Sequence, residues 1–150
     1  MASCSHQGLQ LVSIEKNHET PMSASPRNTF KKSERLCSRI LIDRLFQGES
    51  RSVSAYPIRG VIATTEEKEP GISILISVPK KRFHHAVDRN RVKRQIREAY
   101  RKHKSQLTEQ AMQSNKNLLL AFIYVSDKIE NTNHIEKRMV RLLEKISETL

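Results

Sequence analysis

The chain predicts an α/β sandwich: three helices packed on a small mixed, mainly antiparallel sheet, in the order α-β-β-β-α-β-α. Three observations carry that prediction. Apolar residues recur at helical spacing in three separate segments, around residues 36–46, 87–110 and 135–150. Ile72 to Val78 alternates strictly, and residues 118–125 form a continuous apolar run, LLLAFIYV. Alternation of helical and strand patterns within 150 residues calls for helices laid on one sheet.

Residues 1–29 have few periodic apolar positions and end in a Pro- and Ser-bearing segment, so they are expected to form a flexible N-terminal extension. Residues 30–150 then form the single domain. Ser33 is the expected N-cap of a first helix running to about Phe46 and stopped by Gly48. Its stripe is Leu36, Ile40 and Leu41, joined by Leu45. Val53, Ala55, Ile58, Val61 and Ile62 mark extended chain, with Pro57 at an edge or break. Acidic residues 66–69 and Pro70-Gly71 make a turn. In the strand that follows, Ile72, Ile74, Ile76 and Val78 share one face and Ser73, Leu75 and Ser77 the other.

A second helix is expected from about Val87 to Gln110. At roughly 100° per residue, Val92, Ile96, Ala99 and Tyr100 fall in one arc and face the core. Asn90, Arg94, Arg97 and Arg101 fall opposite, flanked by Arg91 and Lys93. LLLAFIYV, apolar on both faces, is a central strand. Ile135, Met139, Leu142, Leu143, Ile146 and Leu150 make the last helical stripe, with Thr132 as its cap.

Charge is concentrated on the second helix and its approach. Residues 80–104 carry 11 Lys or Arg against Asp88 and Glu98, a net +9 out of +11 for the chain. A positive patch focused in this way is the electrostatic footprint of a polyanion, and nucleic acid is the first partner to consider. An anionic membrane would need a broad exposed apolar face, which the fold uses internally. No apolar run reaches spanning length and no basic-then-apolar signal opens the chain, so a soluble, cytoplasmic protein is expected. Cys4 and Cys37 show no partner pattern and read as free thiols.

Arg89 and Arg91, around Asn90 at a helix start, offer guanidinium forks for phosphate oxygens, and the helix N-terminus adds its own partial positive charge. Lys80, Lys81 and Arg82 converge on the same place from the preceding strand end. The competing reading is a solvated basic face with no partner; crowded like charges weigh against it. Catalysis by the protein has little support. His84, His85 and His103 lack paired carboxylates, and adjacent histidines rarely share one metal ion. Asp88 suits the first helical turn, and Glu98 is spaced to pair with Arg94, Arg101 or Lys102. Four glycines form no phosphate-cradling loop. Phe30, Phe46, Tyr56, Phe83, Phe122 and Tyr124 could stack on unpaired bases or build the core. Phe46 and Tyr56 are the best stacking candidates, and Phe122 and Tyr124 would floor a groove if their face is uncovered.

The run from Ser77 to Arg101, SVPKKRFHHAVDRNRVKRQIREAYR, resembles the signature of the protein subunit of bacterial ribonuclease P. The shared features are the Lys pair after a strand, Ala-Val, Arg89-Asn90-Arg91, Lys93-Arg94, and the Arg-Glu-Ala-aromatic-Arg ending. Phe30 to Gly48 is similar to the family's first helix, and the likeness spans roughly residues 30–148. Pro79 stands where a small residue is common, Ile42 where the first helix often has an aromatic, and residues 82–85 lack a frequent glycine.

This resemblance implies a sandwich with a left-handed β-α-β crossover, an exception to the usual hand. It implies a non-catalytic subunit that assists a catalytic RNA in magnesium-dependent removal of the 5′ leader from precursor tRNA, one protein per RNA. Mg2+ would be bound mainly by the RNA and substrate. Lys80, Lys81, Arg82, Arg89, Asn90, Arg91, Lys93, Arg94, Arg97 and Arg101 would face the ribonuclease P RNA. A cleft between the first helix and the sheet, with Ile42, Phe46, Tyr56, Phe122 and Tyr124, would hold the leader. The rival is a ribosomal or general nucleic-acid-binding protein with no role in cleavage.

Overall fold

A computed structural model describes residues 29–66 and 70–150. The expected extension over residues 1–29 therefore lies outside the described residues except for Thr29. The sheet has four strands, β1 (Arg51–Ala55), β2 (Ile58–Thr65), β3 (Gly71–Ser77) and β4 (Asn117–Tyr124), ordered β1-β2-β4-β3. β2 pairs antiparallel with both β1 and β4, and β3 runs parallel to β4. A parallel neighbour cannot be reached by a tight turn, so a helical crossover must join β3 to β4.

The described residues form four α-helices rather than three: α1 (Arg39–Gln47), α2 (Ala86–His103), α3 (Ser105–Gln113) and α4 (Thr132–Thr149). The expected single helix over residues 87–110 is broken at Lys104. No glycine or proline marks the break. Lys104 turns its side chain inward, and its carbonyl accepts a bond from the Thr108 hydroxyl at 3.0 Å.

The first helix also starts later than expected. Lys32–Glu34 forms one 3-10 turn, the chain then extends, and α1 begins only after Ser38. The reason is the β3 edge: Leu36 N–H donates to Ile74 O at 2.9 Å, and Arg35 bridges Ile74 in parallel register. Ile40, expected in the apolar stripe, is 73% exposed, whereas Leu41 and Leu45 are buried. At α4 the cap is Asn131, whose Oδ1 accepts from Asn133 N; Thr132 is the first helical residue.

Strand alternation divides the core into two layers. On one face Ile58, Ile62, Ile72, Ile74, Leu118, Leu120, Phe122 and Tyr124 pack under Val92, Ile96 and Tyr100 of α2 and Ile135, Met139, Leu142 and Ile146 of α4. On the other, Val61, Ala63, Leu119 and Ala121 meet Leu36, Leu41 and Leu45. One nine-residue helix covers that second face where two long helices cover the first.

Candidate nucleic-acid interface

β3 ends at Ser77, and a tight turn at Pro79 delivers the chain to α2, with Arg82 N–H and Phe83 N–H both bonded to Pro79 O. Phe83 anchors this turn by burying its ring against Tyr124, 5.9 Å between centroids. Lys80 and Lys81 are left in solvent beside the helix start. From there the 3.6-residue repeat sets the face: Val92, Ile96, Ala99 and Tyr100 are all buried, so the basic residues between them point outward.

The outward residues are not equivalent. Asn90, Arg91 and Arg94 are exposed and Lys93 is half-buried, and none of the four has an ion-pair partner among the described residues. Arg82 is engaged by Asp127 at the β4–α4 connection. Arg101 is held by Glu98 one turn back, with Nε to Oε2 at 2.9 Å and Nη2 to Oε1 at 2.6 Å. That hydrogen bond draws the Glu98 carboxyl below its ordinary value and raises the Arg101 guanidinium. Arg89 Nη1 donates to Phe83 O and His84 O, both at 2.7 Å, and so clasps the loop to the helix. Arg97 lays its guanidinium 5.8 Å from the Phe30 ring centroid. Asp88 occupies the first turn of α2, where the helix dipole favours an acid. Helical spacing anticipates the Glu98 partner of Arg101, but not those of Arg82 and Arg97, which come from other parts of the chain.

The second expected surface needs correction. Phe122 and Tyr124 do not floor a groove beside α1: both are fully buried on the face covered by α2 and α4. Phe122 packs 5.7 Å from Tyr100, and the Tyr124 hydroxyl donates to Lys128 O at 2.7 Å while accepting from Glu130 N. Burial pushes both the Tyr124 and Tyr100 hydroxyls up from their ordinary value. Because side chains alternate, the β4 residues facing α1 are Leu119, Ala121 and Ile123. Ile123 and Ile42 are partly exposed, and β2 adds Arg59, which donates to Ser52 Oγ at 3.3 Å across the β1 edge. Strand parity carried that assignment in the sequence, but a run apolar on both faces did not say which face was which.

Phe46 is 47% exposed and Tyr56 58% exposed. Tyr56 stands in the β1–β2 turn, whereas Arg44, two residues before Phe46, hydrogen-bonds Thr65 at the far end of β2. At about 3.3 Å per residue those ends are roughly 23 Å apart. Ile42 packs against the smaller core layer.

Among the described residues, no three His, Cys, Asp or Glu side chains gather as a metal-binding group. Likewise no helix of the described residues is long and apolar enough to cross a membrane. Cys37 is exposed and free.

A crossover helix with a cationic outward face, several of its cations lacking an ion-pair partner among the described residues, above a sheet whose other face is thinly covered, marks an α/β protein of the polyanion-binding class. The comparisons with known proteins specify which kind. The family model for ribonuclease P matches residues 30–147. A ribonuclease P protein component from Porphyromonas gingivalis is 39% identical over 127 residues, covering 84% of this chain and 92% of that protein. One from Chlorobium phaeobacteroides is 36% identical over 93 residues, covering 60% of this chain and 64% of that one. Among solved structures, the Staphylococcus aureus ribonuclease P protein superimposes with a TM-score of 0.60 at 23% identity, covering 77% of this chain and 96% of that chain. A mutant of it with defective mRNA degradation activity gives a TM-score of 0.61 at 22% identity, covering 77% and 90%. The chain belongs to the bacterial ribonuclease P protein family. It is the RNA-binding, non-catalytic protein subunit of that ribonucleoprotein enzyme, acting in 5′ leader processing of precursor tRNA.

Proposed function

We propose a division of labour between two faces. The α2 face, through Lys80, Lys81, Asn90, Arg91, Lys93 and Arg94, docks on the ribonuclease P RNA. The strip beside α1, through Ile42, Phe46, Arg59, Ile123 and Tyr56, holds the single-stranded 5′ leader. Arg82, Arg89, Arg97 and Arg101 border the docking face and reach RNA only with the part of each guanidinium that its intramolecular partner leaves open. The observation that carries this reading is that Lys80, Lys81, Arg91, Lys93 and Arg94 gather at and before one packed helix with no ion-pair partner among the described residues, since such a face is stabilised by binding phosphate.

The domain is the segment 30–150, one copy per RNA, working in the cytoplasm. The β3–α2–α3–β4 crossover is left-handed in this reading, which carries α2 to the side where its basic face clears α4. Mg2+ is coordinated mainly by the RNA and the substrate, and supplies the Lewis acidity for phosphodiester hydrolysis. The protein contributes binding and position, holding leader and RNA together so that the scissile region presents itself to the RNA.

Reconstitution tests the reading. Adding the chain to bacterial ribonuclease P RNA and precursor tRNA at low magnesium should raise cleavage at the 5′ leader junction. No change on adding the protein would remove the proposal. Cleavage by the protein without RNA would overturn its non-catalytic role.

A further inference from the structure

Residues 29–36 form a strap that nothing in the two-face division uses. The strap starts on the helix side of the sheet and ends on the α1 side. Phe30 packs against the larger core layer, edge-on to Tyr100 with centroids 6.3 Å apart, while Leu36 is buried in the smaller layer. Between them the chain crosses the sheet edge at β3, held by the Leu36 to Ile74 hydrogen bond. The guanidinium carbons of Arg35 and Arg97 lie 5.6 and 5.8 Å from the Phe30 ring centroid.

One residue ties the strap to the junction of α2 and α3. Lys104, at the break between α2 and α3, is only 8% exposed. Its Nζ donates to Thr29 O at 2.6 Å and to both Glu34 carboxylate oxygens, at 2.6 and 2.8 Å. Three acceptors match the three donors of an ammonium group, which offsets the cost of burying its charge. A lysine at the end of a basic RNA-binding helix would be expected in solvent; this one is turned inward at the helix break.

We propose that Lys104 is a positioning residue: by clasping the 29–36 strap to α2, it sets the leader strip beside α1 at a fixed distance from the RNA-docking face. The inference rests on the two-face reading. The physical link is continuous, running from the α2 face through Arg97 and Lys104 to Phe30 and Glu34, then through Leu36 into α1. It contributes no contact to either RNA. Its effect is on how well one bound RNA prepares the other site.

Two measurements on the reconstituted holoenzyme test it. The first is affinity for precursor tRNA with a leader relative to the same tRNA without one. Lys104→Met should lower that leader-dependent gain by roughly 2- to 30-fold, the range for a coupling residue, with affinity for ribonuclease P RNA unchanged. Lys104→Arg, which keeps charge and donors, should retain most of the gain. The second is the distance distribution between spin labels at Ile40→Cys and Val87→Cys, exposed by 73% and 77% respectively, in a chain with Cys4 and Cys37 replaced by Ser. The distribution should be narrow for Lys104 and Lys104→Arg, and broad for Lys104→Met. A folded Lys104→Met protein with wild-type leader gain and an unchanged distribution overturns the clasp, as does one whose only defect is weaker binding to ribonuclease P RNA. Absence of any leader gain in the wild type overturns the leader strip instead, and the label distances alone then decide whether Lys104 fixes α1 to α2.

Discussion

At the residue scale, identical side chains on one helix do different work. Arg89 and Arg91 flank Asn90, and sequence spacing makes them a matched pair of phosphate forks. In the fold, Arg89 satisfies the carbonyls of Phe83 and His84, while Arg91 has no intramolecular partner among the described residues. Replacing each with Ala separates the two roles. Arg89→Ala should weaken RNA binding and also destabilise the domain by about 1–3 kcal/mol, because the part-buried Phe83 carbonyl loses a charged donor. Arg91→Ala should weaken RNA binding with the melting temperature unchanged. Denaturant unfolding of both variants, beside titration with ribonuclease P RNA, checks this; equal stability of the two proteins would mean the Arg89 clasp contributes nothing. The outward phase of the helix was legible in the sequence, because a 3.6-residue repeat needs only local spacing. The engagement of Arg82 by Asp127, of Arg97 by Phe30 and of Lys104 by Glu34 was not, since each partner lies more than 40 positions away.

At the element scale, strands were read more completely than the segments joining them. The alternation Ile72, Ile74, Ile76 places β3 correctly because one face of that strand carries two serines. β4 has no such polar marker, so Phe122 and Tyr124 could be assigned to either side until α2 and α4 occupied theirs. The late start of α1 was hidden for a different reason: the β3 edge captures the Leu36 N–H, a tertiary hydrogen bond that outweighs the helical preference of the segment. Two aromatic substitutions should therefore behave oppositely. Phe122→Ala should cost about 3–5 kcal/mol of stability through a core cavity. Phe46→Ala, half in solvent, should leave the fold intact and reduce discrimination between substrates with and without a leader. Thermal melts and paired binding titrations measure both, and a stable Phe122→Ala protein would contradict the core assignment. The α2–α4 contact adds a pH dependence. Glu136 sits 3.0 Å from His103 Nε2 and 3.2 Å from Lys102 Nζ, and these hydrogen bonds, His103 first, hold its carboxyl below the ordinary 4.5. A carboxylate depressed on folding adds stability above its unfolded value and loses it as pH falls through the lower folded value. The melting temperature should fall as pH drops below about 4.5, more steeply for the wild type than for Glu136→Gln. Parallel curves for the two would show that the contact carries no linkage.

For the whole molecule, the charge distribution and the topology act together. Outside residues 80–104 the chain is nearly neutral, and the fold places that one segment as the crossover between two parallel strands. A crossover must lie on a face of the sheet rather than within it, so the charge ends as an exposed ridge over a buried stripe. Within that ridge, Lys80, Lys81, Arg91, Lys93 and Arg94 have no ion-pair partner among the described residues, whereas Arg82 and Arg101 do. Counterion release then gives the size of the electrostatic contribution. If five cations each neutralise one phosphate, the logarithm of affinity for ribonuclease P RNA should fall against the logarithm of salt with a slope of about −3.5 to −4.5. Removing an unpaired cation, as in Arg94→Ala, should make the slope shallower by nearly one. Arg101→Ala should change it less, because Glu98 already neutralises that guanidinium and is itself released into the ridge as an uncompensated negative charge, which lowers affinity at all salt concentrations. Salt titrations of the three proteins separate these effects: equal slope changes for Arg94→Ala and Arg101→Ala would show that the Glu98 pair opens on binding and that the full basic stripe, not its unpaired subset, meets the RNA.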